Sequence, residues 1–236
     1  PRLLLRTGAY ANFHYFKFTQ REWNDDAETL EEQLNSTGSA TSLDAFAQWQ
    51  YRATERLTFN AGAHGIYFFL NDTKSIEPRA SVKYTFSDRQ SLSLGYGLHG
   101  QMQPLGVYFI KGESGALPNR GLGFTKAHHL VLGYDYILNS YSHIKLEGYY
   151  QHLFDVPIST DKENTYSILN STDGYYTEAL VNNGLGKNYG LELTYERFLH
   201  NNLYYLLSGS LYESKYRASN LQWYNTQFNT NYALTL

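Results

Sequence analysis

Ser91-Leu-Ser-Leu-Gly-Tyr-Gly-Leu-His99 is the stretch whose reading decides the fold. Leu92, Leu94, Tyr96 and Leu98 take every second position, and Ser91, Ser93, Gly95, Gly97 and His99 take those between. Successive side chains of an extended chain point to opposite faces, so this is a β-strand with one apolar face and one small, polar face. The period of two returns in Ala80, Val82, Tyr84 and Phe86 against Ser81, Lys83 and Thr85. It returns again in Leu130, Leu132, Tyr134 and Tyr136 against His129, Gly133 and Asp135. Two further stretches, residues 143–150 and 189–196, keep His143, Lys145, Glu147, Glu192 and Glu196 on one face only.

Alternation alone fits two architectures. In a soluble sandwich the polar face meets water and the apolar face meets a second sheet. In a membrane barrel the polar face lines the lumen and the apolar face meets lipid. The connections separate the two. Thr54-Glu-Arg56, Ser87-Asp-Arg-Gln90, Asn139-Ser-Tyr-Ser142 and Leu199-His-Asn-Asn202 are tight, and they alternate with stretches at 19–41, 71–76, 104–126, 156–187 and 217–229. Apart from the brief 71–76, those are long. Short turns at one end of the strands and long loops at the other are the rhythm of outer-membrane barrels. The strands expected are 3–18, 42–53, 57–70, 76–87, 90–103, 126–138, 142–155, 187–198, 202–216 and 230–236. Most exceed the mode of about 5–6 residues in globular proteins and reach the roughly 9–11 that cross a bilayer at a tilt.

Composition agrees. Of 236 residues, 17% are charged, below the roughly 25% of soluble domains, and the net charge of -3 leaves no basic surface for nucleic acid. The 23 Tyr, 13 Phe and 3 Trp suit a membrane–water interface, where an apolar ring with a polar tip is at home. Absence of cysteine excludes a disulfide framework and thiolate chemistry. A mean hydropathy of -0.49 would class most chains as soluble, but the averaging hides a strand with one greasy face.

Ser75-Ile-Glu-Pro-Arg-Ala-Ser-Val-Lys-Tyr84, Ser91 to His99 and Gln101-Met-Gln-Pro-Leu-Gly-Val-Tyr-Phe109 resemble the barrel of TonB-dependent outer-membrane receptors of the Bacteroidetes type. Lys126-Ala-His-His-Leu-Val-Leu-Gly-Tyr-Asp-Tyr136 and Gly186-Lys-Asn-Tyr-Gly-Leu-Glu-Leu193 continue the likeness. The resemblance implies a barrel of about 22 strands around an N-terminal plug, on which a periplasmic TonB complex pulls to admit a bound nutrient. The expectation is therefore an all-β, antiparallel transmembrane β-barrel in part: about ten strands in one barrel domain over residues 1–236, without the plug. Implied partners are outer-membrane lipid, the plug of the parent protein, TonB and a nutrient of unknown identity. The alternatives are a passive porin or small barrel and, from another class, a soluble all-β binding module.

No residue set points to catalysis, to a metal or to a cofactor. His128 and His129 are adjacent, so in a strand they face opposite ways and cannot chelate one ion. Gly184-Leu-Gly-Lys-Asn188 lacks the spacing of a phosphate loop and is expected to be a turn before a strand. Asp25, Asp26, Glu28, Glu31 and Glu32 are expected in a solvated first loop with a short helix. His64, His99, Lys145, Glu147, Glu192 and Glu196 are expected to face the lumen and the plug. Trp23, Tyr108, Phe109, Tyr166, Tyr175, Tyr176, Trp223 and Tyr224 are expected in external loops, where aromatic rings either stack on a ligand or anchor the loops.

Overall fold

The computed structural model describes residues 2–26, 28–112, 115–171 and 178–236. They form one antiparallel sheet of eleven strands. In chain order these are β1 (Leu3–Asn24), β2 (Thr29–Arg52), β3 (Leu57–Phe68), β4 (Thr73–Ser87), β5 (Gln90–Gln101), β6 (Thr125–Asn139), β7 (Ser142–Ser159), β8 (Leu180–His200), β9 (Leu203–Arg217), β10 (Trp223–Asn225) and β11 (Tyr232–Thr235). Each strand from β1 to β10 pairs with the next, and β11 pairs with β9 beside β10. β10 opposes the end of β9 at 215–217 and β11 opposes 208–211, so the two are one tenth strand interrupted at 226–231. Among the described residues no pairing joins β1 to this last strand, and the sheet is an unclosed wall.

The tight turns have the chemistry their geometry demands. Thr54 Oγ1 accepts from the backbone N–H of Leu57 at 3.0 Å, and Asn139 Oδ1 accepts from that of Tyr141 at 3.1 Å. Between β8 and β9, Asn201 (φ 53°) and Asn202 (φ 60°) both take the left-handed conformation. Asparagine tolerates it better than other side-chain-bearing residues, which lets the hairpin turn with the twist of its strands.

One expected loop is strand instead, and another holds a short strand. Residues 19–41 continue β1 and β2 as one hairpin paired to Asn24–Thr29, with a register shift at Gln20/Arg21. The acidic stretch is thus ribbon and tip, with no helix among its described residues. Within 217–229, Ala218–Leu221 makes a turn, closed by the Leu221 N–H donating to the Ala218 carbonyl at 3.0 Å, and β10 follows. Gly184 to Asn188 lies inside β8, whose start at Leu180 precedes the expected one.

The pairing register sorts side chains onto two faces. One carries Trp49, Phe59, Ala61, Val82, Leu94, Leu132, Leu146 and Leu193, and Leu191 and Leu211 there are 57% and 67% exposed. The exposed leucines continue from strand to strand. Soluble monomers rarely leave a contiguous apolar band of this kind bare. The opposite face is polar along the middle of the strands. Apolar packing is concentrated at its long-connection end, where Leu34, Phe68, Val107, Tyr108, Ile110, Leu122, Phe124 and Leu180 form the buried cluster.

Candidate functional site: the polar wall and its loop cap

Hydrogen-bonded carboxylates organise the polar face. Asn12 of β1 donates to Asp44 of β2 at 2.9 Å; Asp44 contacts His64 Nε2 at 3.2 Å; His64 Nδ1 meets Glu77 of β4 at 3.0 Å. Glu77 is 2% exposed, and it also accepts from Arg79 at 3.1 Å and from the Gly100 backbone N–H at 2.9 Å. Three partners around one buried carboxyl group satisfy its oxygens and tie β3, β4 and β5 together. His99 and His129 stand side by side with ring centroids 4.5 Å apart. An open cavity of about 400 Å³ lies over this part of the wall, lined by His64, Arg79, His99 and His129 among others.

Further along the wall, Glu147 and Glu192 are directly opposed, an arrangement that like charges disfavour. Lys145 relieves it, with Nζ 2.7 Å from Glu147, and the hydroxyls of Thr194, Ser208 and Ser210 donate to Glu192 at 3.4 Å. His143 contacts Asp135 at 3.2 Å and opposes Glu196. His64, His99, Lys145, Glu147, Glu192 and Glu196 therefore share the polar face, while His128 turns to the apolar one and contacts Tyr96. Among the described residues no group of three or more His, Asp or Glu is set to hold a metal.

Over one end of the wall sits a cap made of the long connections. Residues 102–124 enter through a 3-10 turn at Leu105–Phe109. Tyr108 is fully buried; its hydroxyl accepts from the Gln103 N–H at 3.2 Å, and burial pushes its phenol up to about 12. Phe109 packs on Phe16 at 4.6 Å between ring centroids. Both aromatics are anchors inside the cap and present no ring to an outside ligand. The cap is cross-tied: Asn71 donates to the Leu122 carbonyl at 2.7 Å, and Asn119 accepts from the Leu180 N–H at 2.8 Å. Lys111 reaches Glu32 of the hairpin at 2.9 Å, and its hydrogen bond holds the Glu32 carboxyl below the usual value.

The remaining aromatics expected in external loops scatter. Trp23 is 56% exposed near the hairpin tip, in β1 rather than a loop. Tyr166 packs against the buried cluster. Trp223 and Tyr224 belong to β10, where Trp223 covers the Lys187 ammonium on the apolar face and Tyr224 packs at a tilt against Tyr216 on the other. Tyr175 and Tyr176 lie outside the described residues. Asp44, Glu77, Arg79 and His129 do not stand out in the sequence as site residues. Each does occupy the polar phase of an alternating strand, but their meeting across β2 to β6 depends on register.

No family model and no curated protein matches this sequence. Solved structures do. The FrpB iron transporter of Neisseria meningitidis aligns over 99% of this chain and 38% of its own, with 14% identity and a TM-score of 0.65. The outer membrane transporter YddB of Escherichia coli aligns over 95% of this chain and 33% of its own, at 13% identity and 0.60. The siderophore receptor PiuA of Acinetobacter baumannii aligns over 88% and 29%, at 10% identity and 0.59. The chain thus spans 38% or less of the length of these neighbours. At such identity the likeness concerns fold: the wall has the architecture of part of the β-barrels of these neighbours.

Proposed function

We propose that residues 1–236 are part of a single outer-membrane barrel domain of a receptor for energy-coupled, TonB-dependent nutrient uptake. One observation carries this reading: a strand wall with a leucine-rich outer face and a charge-networked inner face is turned tightly at one end and capped by packed long connections at the other. A purely passive pore needs polarity inside. A gated receptor needs in addition a surface that holds a plug, and the rows His64–Glu77–Arg79 and Lys145–Glu147–Glu192 offer paired charges at fixed positions for one. The similarity to iron and siderophore transporters supports the class, and the quoted segments support the receptor type. Tight turns face the periplasm, the cap faces outward, and the nutrient meets the cap and hairpin, where the Trp23 ring is exposed.

The test is uptake by cells bearing or lacking the full-length gene. Energy-coupled entry of a scarce nutrient such as chelated iron is expected to disappear on deletion and on collapsing the membrane proton gradient. Uptake indifferent to the gradient, together with steady conductance of the purified protein in a planar bilayer, would establish a passive porin instead.

A further inference from the structure

Above the wall, β2 outruns its neighbour. Its pairing with β3 ends at Ser42 opposite Phe68, while its pairing with β1 runs on to the hairpin tip. Two hydrogen bonds fix which way its backbone points beyond that level. The Arg52 N–H donates to the Arg2 carbonyl at 2.8 Å, toward β1, and the Thr41 carbonyl accepts from the Phe69 N–H at 3.0 Å, toward β3. Along a strand the N–H and C=O of one residue point to the same side, and successive residues alternate. Even-numbered residues of this part of β2 therefore address β1. Asn35, Thr37 and Ser39 address the side where β3 has ended, since the register shifts only beyond them, at Gln20/Arg21. Among the described residues nothing meets the N–H groups and carbonyls of these three, and all three are exposed.

Native sheets protect a free edge with proline, a charged side chain or a bulge. From Asn35 to Thr41 β2 has none of these, reading Asn-Ser-Thr-Gly-Ser-Ala-Thr, and Lys17 stands one strand away, on β1 opposite Thr37. The edge is also held in place, because Leu34 and Ala40 at its two ends are buried in the cluster at the cap. A rigid, unpaired strand is complementary to one kind of ligand, a second extended chain, and needs no ordering to receive it. Charge narrows the choice. The hairpin end carries Asp25, Asp26, Glu28, Glu31 and Glu32, against which the ribbon and cap set Lys17, Arg21 and Lys111, and Lys111 is paired with Glu32 at 2.9 Å. At the foot of the edge Asp72 and Lys74 offset each other, so the surplus is negative. We infer that the Asn35–Ser39 edge receives an extended, basic polypeptide segment as an added strand, in line with β3. Resting on the orientation proposed above, that segment arrives from outside the cell.

The probe is a fluorescein-labelled peptide of alternating lysine and valine, about seven residues long to span the edge, titrated against the full-length protein in detergent and read by fluorescence anisotropy. Alternate amides of an added strand face β2 and the others face solvent. N-methylating one alternate set is therefore expected to weaken binding at least about tenfold, and methylating the other set to leave it nearly unchanged. A peptide of alternating glutamate and valine is expected to bind at least about tenfold more weakly than the lysine peptide. Thr37→Pro removes one N–H of the edge without touching the bonds to β1, and is expected to weaken the lysine peptide while the ribbon still resists proteolysis. Should proline disorder the ribbon, the two methylated peptides on the wild-type protein decide the matter. No binding of the lysine peptide, equal effects of the two methylated sets, or indifference to the sign of the peptide's charge overturns the site. Binding to the purified protein but not to intact cells keeps the edge and overturns the outward orientation.

Discussion

Tyr108 shows how one residue type serves two purposes in this chain. Most tyrosines lie on strand surfaces, where ring and hydroxyl meet different media, but Tyr108 is enclosed by the cap with a single hydrogen bond to the Gln103 backbone. Replacing it with alanine opens a cavity under Phe68 and Val107 and is expected to cost about 3–5 kcal/mol of cap stability. Limited proteolysis within 102–124 would then speed up without loss of the barrel's heat-dependent gel shift. The raised phenol gives a pH signature. The folded cap holds the proton that an unfolded one releases, so this contribution is intact below pH 10.0 and is lost as pH climbs from there to about 12. Phenolate absorbance is expected to show a late-titrating tyrosine that moves to the ordinary range in proteolysed protein. Glu77→Gln removes the charge that His64 and Arg79 share, with an expected loss of roughly 1–3 kcal/mol in urea unfolding. An unchanged urea midpoint would show that Glu77 has no part in holding β3 to β5.

At the scale of the element, each strand is a boundary between two environments, and substitutions should depend on phase more than on position. Leu191 and Thr194 both lie on β8, on opposite faces. Leu191→Arg puts a cation in hydrocarbon and is expected to cost roughly 2–4 kcal/mol near the midplane, whereas Thr194→Arg faces the wall's polar side beside Glu192 and is expected to fold normally. Equal tolerance of the two changes, measured by refolding into lipid vesicles, would remove the membrane orientation. The long hairpin of β1 and β2 teaches the complementary lesson. On the proposed orientation this ribbon projects beyond the membrane and needs no apolar face, so Gln20 to Thr41 carries no alternation and reads as a loop, although every residue from Asn24 back to Leu3 is paired. Leu34 and Ala40 are exceptions, buried in the cluster at the cap.

For the whole molecule, the unclosed wall is the governing fact. Among the described residues β1 presents one free edge and the interrupted β10 and β11 the other. Unpaired edges with an exposed leucine face invite mispairing. If residues 1–236 belong to a larger barrel, as proposed above, then produced alone in detergent they are expected to give mixed oligomers on size-exclusion chromatography, and the larger protein one species. A single heat-shifting monomer from 1–236 would mean that the wall closes on itself as a small barrel.

Period-two alternation, strand length and turn spacing determined by themselves that this chain is an antiparallel, membrane-type sheet, because a strand between lipid and polar interior must write both environments into successive residues. The tight turns at 54–56, 87–90, 139–142 and 199–202 were legible for the same reason: local chemistry closes them. Only the tertiary structure decided which side chains meet. The Asp44–His64–Glu77–Arg79 row and the burial of Tyr108 join residues from separate strands or loops. Register and cap packing bring them together, and neither is a property of any one segment.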